Sequence, residues 1–443
     1  MKRMNIVGKK LNKKNIITGS VAVSLAAMML IGGGTFAYLK DNAPAVKNNF
    51  NTNAVLVDLE ETTGNGYNII PGTSQDKNPK VSVTNTVDAW VYAIVEDNTE
   101  SLVDYAIADG WQKLDGWNLG NTKVYYRSVS ANDDVKEFPV LKDNKVSYDK
   151  ALENSDMIDA DGTLKAGLNL TFTAYAIQQE GFADAKTAFE EQYAAVGTAD
   201  NLEQALSDGK TAVLSDDITL PAYLEVSGTV NIVGNGKKIV APESTGTSIT
   251  SRVINVNDQS EPVTINVKGA DLVGPTTGTN TRGISVYASD NVTINIEDSS
   301  VSANYYALNI AGSSDNAVLN IKNSKIKGWC AYQTWSPNTV ATFDDCELIG
   351  LNDKTYNNNH WNDFATVVVN TDATNTKTIF NNCKITATAT TGNNQYFMSI
   401  RASGTTVESH GSTFISNGTV IPNSEVENYI EVYSSDYLNF TID

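Results

Sequence analysis

The sequence predicts an all-β protein: an antiparallel β-sandwich over residues 38–195, followed by a parallel β-helix over 196–443. Three observations carry that prediction. Apolar and polar residues alternate in short runs through the first half, the period of a half-buried strand. One short phrase recurs six times in the second half. Within that phrase, one column holds only Gly, Asn or Asp, the residue types that accept a left-handed backbone at a tight corner.

The first element is an export signal over residues 1–37. Lys2, Arg3, Lys9, Lys10, Lys13 and Lys14 form a basic start without an acid, and an apolar run follows from Ile16 to Ile31. The run is shorter than the roughly 20 residues a membrane span needs. Thr35 and Ala37 supply the small residues that precede a signal-peptidase cut, expected between Ala37 and Tyr38. Setting aside those six positive charges takes the remainder of the chain from a net −19 to −25. Nucleic acid and anionic lipid are thereby poor partners, and the spread of Asp and Glu along the chain fits a solvated extracellular surface.

Residues 38–195 then read as short strands. Val55, Val57 and Leu59 alternate with Leu56, Asp58 and Glu60, as do Val81 and Val83 and then Leu168, Leu170, Phe172 and Ala174 with their neighbours, while Val91 to Val95 is a buried-looking run. Gly, Asn and Pro turns separate them, the pattern of an antiparallel sandwich. Phe182, Ala185, Phe189 and Tyr193 have helical spacing, which predicts a closing helix over 182–194.

Several phrases here resemble the SipW-dependent exported proteins of the TasA and camelysin family of Gram-positive bacteria. They are the leader GGGTFAYLKD, NNFNTNAVLVDLEE (48–61), NTVDAWVYAIVEDN (85–98) with Trp111 and Trp117 beyond it, and LTFTAYAIQQEGF (170–182). The resemblance spans residues 16–195. It implies a SipW-type signal peptidase as a partner and an extracellular matrix or cell-surface location. It also implies self-association into fibres through strand 48–60, which would add to a neighbour's sheet by backbone hydrogen bonds.

The second half is a ladder. Its rungs are VTINVKGADLVG (263–274), VTINIEDSSVSA (292–303), VLNIKNSKIKG (318–328), ATFDDCELIG (341–350), KTIFNNCKITA (377–387) and TVESHGSTFIS (406–416). Val267, Ile296, Ile321, Phe343, Phe380 and Ser409 share one column, and Leu272, Val301, Ile326, Leu348, Ile385 and Phe414 another. Between them stand the corner residues Gly269, Asp298, Asn323, Asp345, Asn382 and Gly411. A column of small residues follows: Ala270, Ser299, Ser324, Cys346, Cys383 and Ser412. Cys346 and Cys383 therefore read as small side chains filling a narrow slot, and not as reactive or metal-binding thiols.

A second strand precedes each rung, at 252–257, 283–288, 306–311, 365–370 and 396–401, with a final one at 429–433. A constant cross-section that bulges at one corner describes a parallel β-helix. The arrangement resembles the pectate-lyase-like superfamily, which implies a right-handed coil. Residues 200–209 are expected to cap its open end, with Asp200 and Glu203 spaced as a capping box.

The variable corner carries aromatics interleaved with Asn, Asp and Gln. Tyr306, Trp335, His360, Trp361, Asp363 and Tyr396 are the candidate glycan-contacting residues, rings stacking on pyranose faces and polar groups meeting hydroxyls. Asp344, Glu347 and Asp363 are the candidate carboxylates, with Arg282 and Arg401 beside the second strands. Asp344 and Glu347 follow the outward phase of the ladder, and no nucleophile motif, phosphate-cradling loop or CxxC is present. The expectation is a noncatalytic, secreted structural or adhesive protein without a cofactor. Calcium stays open, since no specific motif supports it. The competing expectation is a secreted polysaccharide-binding or polysaccharide-degrading β-helix.

Overall fold

The computed structural model describes residues 53–443 apart from 65, 160, 161, 166, 243–250, 278–280, 352–364, 389–395 and 435. All belong to one unit, Asp41–Asp443. The expected cut at Ala37 and the first residues of the proposed donor strand lie outside the described residues.

Three sheets of the first half are antiparallel. Val55–Glu60 pairs with Lys80–Asn85, which pairs with Glu137–Pro139. Ser74–Asp76 pairs with Lys145–Ser147. A four-stranded sheet runs in the order Gln112–Leu119, Thr122–Val129, Ala89–Asn98, Asn169–Gln178. The alternation seen in sequence has a direct cause: Val81 and Val83 from one sheet and Val91, Ala93 and Val95 from another share a single buried core with Trp111, Phe138 and Phe172.

The far face of the four-stranded sheet is aromatic. Tyr92 and Trp117 pack on Phe189, with ring centroids 5.0 and 4.7 Å away, and Phe189 stacks on Tyr193 at 4.4 Å. Here the expected helix over 182–194 is corrected. Only Ala185–Phe189 is helical, capped by Asp184 accepting from the Thr187 amide at 2.7 Å. The chain then turns so that Tyr193–Val196 can become the first strand of the parallel stack. The expected boundary between 195 and 196 thus falls inside a strand.

From Tyr193 onward the described residues form a β-helix of three sheets, of ten, nine and eight strands, parallel except for the last strand of the second. Both apolar columns hold in register, Val267 beside Ile296, Ile321, Phe343 and Phe380, and Leu272 beside Val301, Ile326, Leu348 and Ile385. The corner column has the backbone its composition demands, with φ of 49° at Asp298, 43° at Asn323, 52° at Asp345 and 52° at Asn382. On the outer side of the first sheet, Asn266 donates to Asn231 at 2.8 Å, Asn295 to Asn266 at 2.7 Å and Asn320 to Asn295 at 2.9 Å. This amide ladder satisfies each side chain from the next coil and pins the register.

The small-residue slot explains its cysteines. Ser299 and Ser324 each donate to the carbonyl two residues back, at 2.6 Å, and Ser299 accepts from the Ala270 amide of the preceding coil. Cys346 and Cys383 make the matching bond, to Asp344 at 3.1 Å and Asn381 at 3.3 Å. Both are buried free thiols, and the contact with Cys383, together with burial, pushes the Cys346 thiol up.

Two expectations about the ends and the coils need correction. Helix Ala199–Ser207 does cover the N-terminal end with Leu202 and Ala205, but its cap is Thr198, whose hydroxyl accepts from the Asn201 amide. Asp200 sits inside the helix, so the Asp200–Glu203 capping box does not form. A second strand missing from the sequence reading, Cys330–Thr334, completes the coil between Tyr306–Ile310 and Ala365–Val369. At the C-terminal end, Thr419–Ile421 folds back antiparallel on Thr413–Ser416.

Candidate functional site

The antiparallel half is fastened to one corner of the β-helix. Asn235, at the first corner with φ 54°, donates to the Leu119 carbonyl and accepts from the Thr122 amide at 2.8 Å. Lys268 and Glu96 form a 2.6 Å ion pair whose side chains are only 13% and 11% exposed. Burial works against the Lys268 charge, but Glu96, Glu297 and Asp298 outweigh it and hold its ammonium above the ordinary range.

Beside this junction a cleft of about 980 Å³ opens between the two halves. One wall is the antiparallel half, contributing Asp97, Glu100 and Asp159. The other is the corner column and the first residues of the second sheet, contributing Asp271, Asp298, Asp345 and Glu347. Coils stack about 4.8 Å apart, so the β-helix wall offers a polar group at each step. Carboxylates therefore face the space from both sides.

Hydrogen bonds hold both walls in place. On the antiparallel wall Asn121 donates to Asn98 at 2.8 Å, and Asn98 to Asn169 at 3.1 Å. On the β-helix wall Asn323 donates to Asp298 and Ser300 to Asp271, both at 2.6 Å. Glu347 is gripped by Lys325 at 2.7 Å and Lys384 at 3.0 Å. Burial alone would raise its carboxyl, but the two lysines reverse the sign and hold it below its ordinary value.

Two of the aromatic candidates, Tyr306 and Tyr396, lie elsewhere, on the outer face of the third sheet. Tyr306 is 4% exposed, packed with Tyr305 and Trp329. The Arg282 guanidinium lies 4.5 Å from its ring centroid. Tyr305 stacks on Trp329 at 5.0 Å, their planes 5° apart. Tyr396 packs half-buried on the same cluster. Trp335 is half-buried just past the opposite end of Cys330–Thr334, its amide bonded to Ile310. Tyr306 and Tyr396 thus share one face, Trp335 sits apart from them, and His360, Trp361 and Asp363 lie outside the described residues. Of the candidate carboxylates, Glu347 lines the cleft, whereas Asp344 accepts from Asn381 at 2.6 Å in an outward ladder. Arg282 bonds Asn309 at 2.7 Å, and Arg401 bonds Ser399 at 3.1 Å.

Among the described residues, no group of three or more His, Cys, Asp or Glu is placed to hold a metal ion. Sequence reasoning missed the cleft because its acids come from segments far apart in the chain.

No protein-family model matches the chain, and no curated protein does. Two solved structures match: catalytic domains of GH87 alpha-1,3-glucanase, one in complex with tetrasaccharides and one with nigerose. Both are glucanase catalytic domains. The first is 10% identical and covers 88% of this chain and 97% of that chain, with a TM-score of 0.19. The second is 9% identical, covers 87% and 98%, and has a TM-score of 0.14. The expectation of a noncatalytic protein runs against this finding, the matched chains being glucanase catalytic domains. Likeness at these TM-scores assigns no activity, so the functional argument rests on the cleft. Neither comparison bears on the TasA and camelysin resemblance.

Proposed function

We propose that the chain is a secreted, polysaccharide-acting β-helix protein whose glycan lies in the cleft between its two halves. The observation that supports this is the presence of carboxylates on both walls. Glycoside hydrolysis requires a carboxyl on each side of the scissile bond, one to protonate the leaving oxygen and the other to act as base or nucleophile. Asp97, Glu100 and Asp159 face Asp271, Asp298, Asp345 and Glu347 across the cleft. The Asn, Ser and Asp groups of the walls are matched to sugar hydroxyls, which both donate and accept.

The test is a panel of polysaccharides incubated with the protein, scored for binding and for new reducing ends. Binding with release of reducing ends is the expected result. Binding without release would leave a recognition cleft and remove the hydrolytic part. Neither binding nor release would overturn the reading.

A second reading concerns assembly. Among the described residues Val55–Glu60 is the edge strand of its sheet, pairing only with Lys80–Asn85, and Leu56 on its outward face is 63% exposed. A strand in that position can instead fill the matching groove of a second copy. Negative-stain electron microscopy of residues 38–443 beside a form starting at residue 62 tests it. Fibres from the longer form only are expected, and single particles from both would remove the donor-strand role.

A further inference from the structure

We infer that the cleft selects uncharged glycans and rejects polyuronates; this rests on the proposal that the cleft binds a polysaccharide. Seven carboxylates line it against two lysines. Both lysines are already engaged, Lys123 with Asp97 at 3.8 Å and Lys325 with Glu347 at 2.7 Å, and Lys165 and Lys384 are likewise spent on Glu100 and Glu347. A uronate chain laid along the corner would bring further carboxylates beside Asp271, Asp298 and Asp345, with no uncommitted cation among the described residues lining the cleft to meet them. Like charges at such range repel strongly where protein walls displace water. An uncharged sugar in the same place meets acceptors its hydroxyls can donate to, and hydrogen bonds to a carboxylate are the stronger kind.

The repeat supplies a clean variant. Asn fills the same corner at 323 and 382, with φ of 43° and 52°, close to the 49° and 52° of Asp298 and Asp345. Asp298→Asn with Asp345→Asn therefore removes two charges while keeping a residue the corner accepts.

The experiment compares neutral polysaccharides with the same polymers oxidised at their primary alcohols to uronates, so that length and linkage are held constant. Equilibrium binding to the protein is measured at low and high salt. At low salt the neutral polymer is expected to bind at least about tenfold more tightly, with the gap narrowing as salt screens the repulsion. The double variant is expected to narrow it at low salt as well. Equal or tighter binding of the uronate form would overturn the selection while leaving glycan binding intact. An unchanged gap in the double variant would show that the discrimination is made outside this cleft. Binding of neither polymer would overturn the glycan reading and this inference with it.

Discussion

Replacing Lys268 by Met is expected to destabilise the junction between the two halves by about 3–5 kcal/mol, because it leaves the Glu96 carboxylate buried without its partner. The ion pair is 2.6 Å long and nearly closed to water, so the stranded charge cannot simply rehydrate. Exchanging both residues, Glu96→Met with Lys268→Met, is expected to recover most of the loss, since two apolar side chains can replace a buried pair at little cost. The coupling in this double-mutant cycle is read from urea unfolding followed by tryptophan fluorescence. A single variant with an unchanged midpoint would show that the pair is solvated and does not fasten the halves. The pH dependence has a definite sign. The Lys268 ammonium is held above its ordinary value of 10.5, so its contribution is complete below that pH and is lost as pH rises through the raised value.

Phe380→Ala is expected to cost about 3–5 kcal/mol, the range for removing a buried aromatic side chain. Phe380 is fully buried and stacks on Phe343 with centroids 5.5 Å apart. The next residue in the column is Ser409, too small to collapse into the space. Phe380→Ile, the residue the same column holds at 296 and 321, is expected to cost clearly less. Thermal unfolding by circular dichroism ranks the two, and equal losses would mean that the column is not a packed stack.

The β-helix was legible because each of its columns answers to one physical demand. Asp298, Asn323, Asp345 and Asn382 could be read as corners from side-chain type, and they carry positive φ. The strand Cys330–Thr334 was not legible. Its sequence CAYQT has no clean alternation, and it is buried at every position because its outer face is packed as well as its inner one. The break after Phe189 was hidden for a related reason: Tyr193 keeps the helical spacing, but its ring is needed against Phe189 while its backbone joins the parallel sheet. The cleft lay beyond sequence reasoning altogether. Asp97 and Asp345 are brought to it by contacts such as those of Asn235 and Lys268, and nothing local marks residues 248 positions apart as lining one space.

The two ends of the β-helix are finished differently. At the first, Leu202 and Ala205 of a helix are buried against the core. At the last, Thr419–Ile421 closes one sheet, while Leu438–Ile442 and Ile430–Val432 remain the outermost strands of the other two. In a stack where each coil is held only by its neighbours, opening has a direction. Fraying starts at the final coil and must pass the coils of Phe414 and Phe380 before it reaches Asp345, the last corner that lines the cleft, so the cleft is expected to exchange more slowly than the C-terminal end.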